Sequence, residues 1–331
     1  MTTSFGRTSG GFGFSIPTNI VDFNGKKERE KHSIHQDGWI LQKLNILQDC
    51  HELSDVQFCV GQGNCKKVFK AHRLILAMSS DVFKAMFFGQ LKEKDSVEIV
   101  DVSPDVFEYL LMYMYGRNLP KVTIHFAREI YYAADKYLID GLKASCLKLI
   151  SERFSIASAS VVCEFAEDIK DENLFNKAFE TILYNIHEYI RSISFRTAST
   201  NVIKKLLGTK LYLRQGERRD RRAGSFHNMS YRDIYSNIKD IDIWKALCEW
   251  SKERCKTDGK EPTPANQREA LLPILPYVQF LTMSSQDFTC GPAKSGILSD
   301  EESLAILMNI VVYQSQPLPD WMLKTKTNSD V

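Results

Sequence analysis

The sequence predicts an α+β domain, a small sheet capped by helices, followed by an all-α domain. Three observations carry this: strand-like alternation confined to the first hundred residues, helical apolar spacing around and after it, and a chain of 331 residues, long enough for about two domains. With 44% hydrophobic residues, both units can bury real cores.

Residues 1–35 open with "SGGFGFS" and pass through "NGKKEREKH", rich in Gly, Ser and charge. They lack the apolar area needed to order themselves and are expected to form a flexible arm. From Trp39 to Leu53 the apolar residues Trp39, Ile40, Leu44, Leu47 and Leu53 fall near helical spacing and predict a leading helix. "DVQFCVG" then alternates Val56, Phe58 and Val60 against Gln57 and Cys59, and "GQGN" turns the chain into "CKKVFK", a hairpin. Its Gly61-x-Gly63 joins strand to strand, whereas a phosphate-cradling glycine loop opens a helix.

The next stretch, "AHRLILAMSSDVFKAMFFGQLKE", holds His72, Ser79, Ser80, Asp81 and Glu93, the residue types of a hydrolase. Their spacing argues otherwise. Leu74, Ile75, Ala77 and Met78 form a short apolar helix, and Ser79-Ser80-Asp81 ends it and caps a second. In that second helix Val82, Phe83, Met86 and Phe87 make one broad apolar face before Gly89 stops it. A serine nucleophile requires a base and an exposed elbow such as G-x-S-x-G, and neither is visible here. His72 has no partner visible in the sequence and is read as structural.

"SVEIVDV" predicts a further strand. "SPDVFEYLLMYMY" starts a helix with Ser as cap and Pro at the first turn, placing Val106, Phe107, Leu110, Leu111 and Met114 on one face. "AREIYYAADKYL" and "DGLKASCLKLISERF" predict two more helices, and no convincing strand follows. From Arg214 to Ser236, "RQGERRDRRAGSFHNMSYRDIYS" interrupts the helical pattern with charge and Gly and predicts an exposed loop.

Charge and cysteine usage narrow the function classes. Lys+Arg 43 against Asp+Glu 41 leaves no global field for nucleic acid or anionic lipid. The basic cluster Arg214, Arg218, Arg219, Arg221 and Arg222 could meet phosphates or act as an import signal, but Glu217 and Asp220 dilute it, and a solvated loop is favoured. Apolar runs fall far short of the roughly 18 residues that span a bilayer, and no signal layout opens the chain. A cytoplasmic location, with the nucleus as a second compartment, follows. Eight cysteines without a C-x-x-C pair predict reduced, mostly buried thiols. Cys50, His51, Cys59 and Cys65, with His32 and His35 before them, lack the paired spacing of a zinc site, so neither metal nor another cofactor is expected. The terminal "SDV" fits the pattern that PDZ domains capture by strand addition.

Taken together, "SDVQFCVG", "FKAHRLILAMSSDVFKAMFFG", "DVSPDVFEYLLMYMYG" and "IYYAADKYLIDGLKASCLKLI" resemble a BTB/POZ domain, from about Leu53 to Ile150. "CEFAEDIKDENLFNKAFETI", "IDIWKALCEWSKERC" and "LLPILPYVQFLTMSSQDFTCGPAKSGILSDEE" resemble a BACK domain, most closely in the subfamily where BTB and BACK precede a β-rich PHR domain. Gln279 and Leu281 stand where that subfamily usually has Arg and Pro. The implied organisation is an arm over 1–35, BTB/POZ over 36–153, BACK over 154–313 with the basic loop at 214–236, and a tail over 314–331 without PHR.

The resemblance implies a non-catalytic protein–protein interaction module. It implies dimerisation, with itself or a relative, through Trp39, Ile40, Leu44 and Leu47, with Asp55 and Arg73 as a buried charge pair beside the interface. It further implies a substrate adapter for a cullin-3 RING ubiquitin ligase, bringing an unidentified protein substrate for ubiquitination. "GQLKE" fits the family's hydrophobic-x-Glu cullin loop, with Leu91 as the apolar residue and Glu93 as the acid. The alternative implied is a dimeric scaffold that competes with longer relatives without binding cullin.

Overall fold

The computed structural model describes residues 34–50, 53–63, 66–89, 96–219 and 238–323, with 34–38, 213–219 and 323 as backbone only. Helix α1 spans Ile34–Asp49, so it starts within the expected arm and ends before Leu53, which is exposed. Strands β1 (Val56–Val60) and β2 (Lys67–Ala71) form the expected antiparallel hairpin, with Val56 opposite Ala71 and Val60 opposite Lys67. Strand β3 (Ser96–Ile99) pairs in parallel with the other edge of β1, giving the order β2-β1-β3. The third strand is shorter than its sequence suggested, because Val100 is already exposed.

Helices α2 (Arg73–Ser79) and α3 (Asp81–Phe88) occupy the crossover. Ser80 caps α3 by accepting the Phe83 N–H at 3.2 Å, and its hydroxyl donates to the Tyr137 carbonyl. Such a cap stabilises a helix by about 1 kcal/mol. Phe83 and Phe87 are buried, with Val82 and Met86 packed beside them. Gly89 ends α3 in an extended conformation, and a Cβ there would lie 2.2 Å from the Ala85 carbonyl oxygen. Close approach therefore demands the glycine. In α2 the expected apolar face turns out differently: Leu76 enters the core, while Leu74 and Met78 face solvent.

Helices α4 (Pro104–Met114), α5 (Ile124–Lys136) and α6 (Asp140–Arg153) follow. Ser103 caps α4, and Val106, Phe107, Leu110, Leu111 and Met114 are all buried, with Tyr109 in addition. Phe58 on β1 sits amid the rings of Phe83, Phe87 and Phe107 at centroid distances of 5.8, 6.2 and 5.0 Å. The centre of the first domain lies there.

After α6 the described chain is helical: α7 (Ala159–Asp168), α8 (Glu172–Tyr184), α9 (Ile186–Tyr189), α10 (Ile193–Arg196), α11 (Thr200–Arg219), α12 (Asp240–Thr257), α13 (Pro264–Leu271), α14 (Ser285–Cys290), α15 (Asp300–Val311) and α16 (Asp320–Leu323), with short 3-10 turns between some of them. Helix α11 overturns part of the loop expectation. Arg214, Arg218 and Arg219 belong to its backbone, since the Arg, Gln and Glu of "RQGERR" are good helix formers and one glycine among them costs only about 1 kcal/mol. Arg221 and Arg222 lie outside the described residues.

The two regions pack through aromatics. Tyr131 and Tyr132 of α5 meet the ring of Phe165 on α7 at 4.9 and 5.9 Å, and the Tyr132 hydroxyl donates to Asp168 at 2.7 Å. Burial and the Asp168 carboxylate together raise the Tyr132 pKa, keeping that hydroxyl a donor. Lys177 of α8 donates to the Ser151 carbonyl of α6 at 2.6 Å, a second tie across the junction.

In the last third, Arg268 holds Glu302 with two hydrogen bonds of 2.8 and 2.7 Å, and Trp321 donates to the same carboxylate at 2.7 Å. Burial opposes ionisation of Glu302, but these donors and the Ser299 backbone N–H outweigh it and pull its pKa down to about 2. Cys146, Cys163 and Cys255 are buried; Cys50, Cys59 and Cys248 are half-buried and Cys290 is exposed, so the thiols are less uniformly interior than expected. Cys65 lies outside the described residues. Among the described residues no helix is long and apolar enough to cross a membrane, and no group of three or more His, Cys, Asp or Glu side chains could hold a metal ion.

Candidate protein-interaction surface

The residues expected to meet another protein gather on α1. Trp39 and Ile40 are 61% and 53% exposed, and Leu41 and Ile46, which sequence reasoning did not single out, are exposed as well. Leu44 is half-buried; Leu47 packs against the core. Hydration of such a stripe is unfavourable by roughly 25 cal/mol for each Å² of apolar surface, so a partner that covers it gains that amount. Lys43 lies over the Trp39 ring at 5.9 Å.

The helix is held in place from beneath. Arg117, just past α4, donates to the Asn45 carbonyl at 3.1 Å and pairs with Asp49. Leu41 rests on Gly116, where φ is +69° and a Cβ would come within 2.7 Å of the leucine methyl. A side chain at Gly116 would therefore be strained by backbone and by contact alike.

Asp55 and Arg73 do not form the expected buried pair within the single chain. Asp55 is exposed, and its carboxylate accepts the Arg73 backbone N–H at 2.8 Å, while the guanidinium lies over the Phe87 ring at 5.4 Å. The physical reason is the start of α2: His72 offers it no side-chain cap, so an acid from the strand-entry segment supplies the missing acceptor.

His72 has acquired the partner that the sequence hid. Its Nδ1 lies 2.7 Å from the Tyr115 hydroxyl, which also accepts the His72 backbone N–H at 3.0 Å. Its Nε2 is buried without a hydrogen-bond partner among the described residues. Desolvation lowers the His72 pKa, with Asp55 opposing weakly. A histidine with a folded pKa below its unfolded 6.5 contributes stability that is complete above pH 6.5 and declines as pH falls toward the folded value. Between pH 7.5 and 5.5 the urea midpoint is expected to fall more steeply for the natural protein than for His72→Phe; equal slopes would contradict this.

Leu91 and Glu93 lie outside the described residues. What the structure gives is their approach: α3 ends at Phe88, an exposed aromatic at 56%, and Gly89 closes it with an N–H donated to Ala85. Phe88 is a surface residue that the sequence pattern did not flag, because it continues the apolar run of a buried face.

The small sheet capped by helices is as expected from the sequence; the structure adds that its three strands are mixed, with two helices in the parallel crossover. Residues 44–153 match the family model for the BTB/POZ domain, and this part of the chain is a BTB/POZ domain. The chain is related to BTB/POZ domain-containing proteins 6 and 3. Protein 6 of Homo sapiens is 28% identical over 283 residues, covering 83% of this chain and 48% of that protein. Protein 6-A of Danio rerio is 28% identical over 84% of this chain and 46% of its own length, and protein 3 of Homo sapiens 26% over 77% and 44%. The chain thus spans about half the length of the curated relatives it matches. Among solved structures, the BTB domain of zebrafish PATZ1 aligns over its full length with 38% of this chain, at 25% identity and a TM-score of 0.32.

Proposed function

We propose that the protein is a dimeric, non-catalytic BTB-BACK adapter that links a protein substrate to a cullin-3 RING ubiquitin ligase. The observation that carries this reading is positional. "GQLKE" follows directly on α3 within the matched BTB/POZ domain, and the resemblance implies the hydrophobic-x-Glu loop at this position. Leu91 would fill a pocket on cullin and Glu93 would fix its orientation through a donor. The helices after residue 153 suit the BACK role of extending that contact, and the Tyr131–Tyr132–Phe165 junction holds them against the BTB domain.

The unmodified protein is expected to retain the N-terminal region of cullin-3 in a pull-down. Leu91→Ala with Glu93→Lys should weaken this about tenfold or more, given that anchor residues carry most interface energy. Sedimentation of the same variant should still report a dimer, whereas Trp39→Glu with Ile40→Lys should give monomers. No binding by the unmodified protein would sink the adapter. The exposed apolar face of α1 favours one second reading, a dimeric scaffold without cullin, which that same outcome would leave standing.

A further inference from the structure

Helices α9 and α10 are each one turn long, and the corner they make packs against α12. A surface hollow of about 320 Å³ lies in this corner. Ile190 and Ala246, both buried, supply its apolar part, and Arg191, Arg196 and Lys245, all exposed, line the rest with Asp242 and Glu249. A second hollow of about 460 Å³ adjoins through Arg191 and adds His187 and Glu188.

The charges here are unequally engaged. Glu249 is held by Lys252 at 2.7 Å, and Asp242 lies in the first turn of α12, where the helix field favours a carboxylate. Among the described residues, Arg191, Arg196 and Lys245 make no ion pair and no side-chain hydrogen bond. Three cations are thus unspent around an apolar floor, in a volume at the lower end of the roughly 300–1,000 Å³ of ligand sites.

We propose that this corner docks a short acidic peptide segment of a partner protein. Its aspartates or glutamates would meet Arg191, Arg196 and Lys245, and a small apolar side chain would cover Ile190 and Ala246. Guanidinium groups match carboxylates with paired donors, which gives direction as well as attraction. Phosphates repeating at every residue of a nucleic acid would meet Glu188, Asp242 and Glu249 as well as the cations, whereas a short peptide can confine its carboxylates to the side chains facing Arg191, Arg196 and Lys245. The groove would give the adapter a place for its client, and in that role it rests on the adapter reading; the binding itself does not.

Fluorescence anisotropy of the full chain at low salt, with a labelled peptide of aspartates and glutamates flanking one leucine, tests the site. Saturable binding is expected, reduced about tenfold or more by Arg191→Glu with Arg196→Glu. Arg254→Glu with Lys256→Glu, an equal change of charge toward the other end of α12, should leave it nearly intact, as should Leu91→Ala with Glu93→Lys. Thermal melts confirm folding; if the arginine variant does not fold, a severalfold loss in Lys245→Ala carries the same test. No saturable binding, an equal loss in both charge-reversal variants, or tighter binding of an oligothymidylate than of the peptide would overturn the proposal. No peptide binding by the unmodified protein, with cullin capture retained, would refute the groove and leave the adapter reading untouched.

Discussion

Lys210→Met is expected to destabilise the protein by about 3–5 kcal/mol, the usual cost of breaking a buried ion pair from one side. The Lys210 ammonium is 2.6 Å from Asp240 Oδ1 and 3.4 Å from the Ile238 carbonyl, and the side chains are 3% and 8% exposed. Thr282 donates to the other oxygen of the same carboxylate at 2.7 Å. Removing the ammonium takes the Lys210 counterion from an Asp240 carboxylate that has little access to water. Adding Asp240→Leu should recover part of the loss, because the carboxylate that lost Lys210 goes while Thr282 keeps the Gln279 carbonyl as acceptor at 2.7 Å. Urea midpoints of the natural, single and double variants measure this. A double variant less stable than Lys210→Met would mean that Asp240 works mainly through Thr282 and the start of α12.

Phe58→Ala should cost a similar amount, about 3–5 kcal/mol, by opening a cavity among Phe83, Phe87 and Phe107. The central strand can collapse little, since both of its edges are hydrogen-bonded to neighbours. Val68→Ala on strand β2, more than half exposed, should change stability by less than about 0.5 kcal/mol. Chemical denaturation of the two variants side by side separates core volume from strand propensity, and equal effects would contradict the burial argument.

Local physics made much of this fold readable from the sequence. Alternation named Val56, Phe58 and Val60 as the inward face, and Ser80 and Ser103 announced their helices as caps. What pairs across distance was not readable. Nothing near His72 points to Tyr115, and nothing near Lys210 points to Asp240, because each partner comes from another element brought up by packing. The short apolar helix at 74–78 misled for a related reason: a seven-residue helix has too few turns for its pattern to say which side faces the core, and Leu76 took that place from Leu74 and Met78. At the surface, the apolar residues of α1 were legible as a helix, while their exposure was carried only by the family resemblance. Charge diluted the helical signal at Arg214 to Arg219, although those residues favour helix on their own account.

The parallel pairing of β1 with β3 has a consequence for how the chain is made. The hairpin can form as soon as Ala71 has left the ribosome, but β1 keeps a bare edge until Ile99 arrives, after both crossover helices have been synthesised. Closing that long loop is an entropic cost met late, and it sets a slow step for the nascent domain. Nascent chains stalled between these two points should expose Phe58 and an unpaired strand together, and chaperone capture or aggregation should peak in that window and end once β3 has emerged.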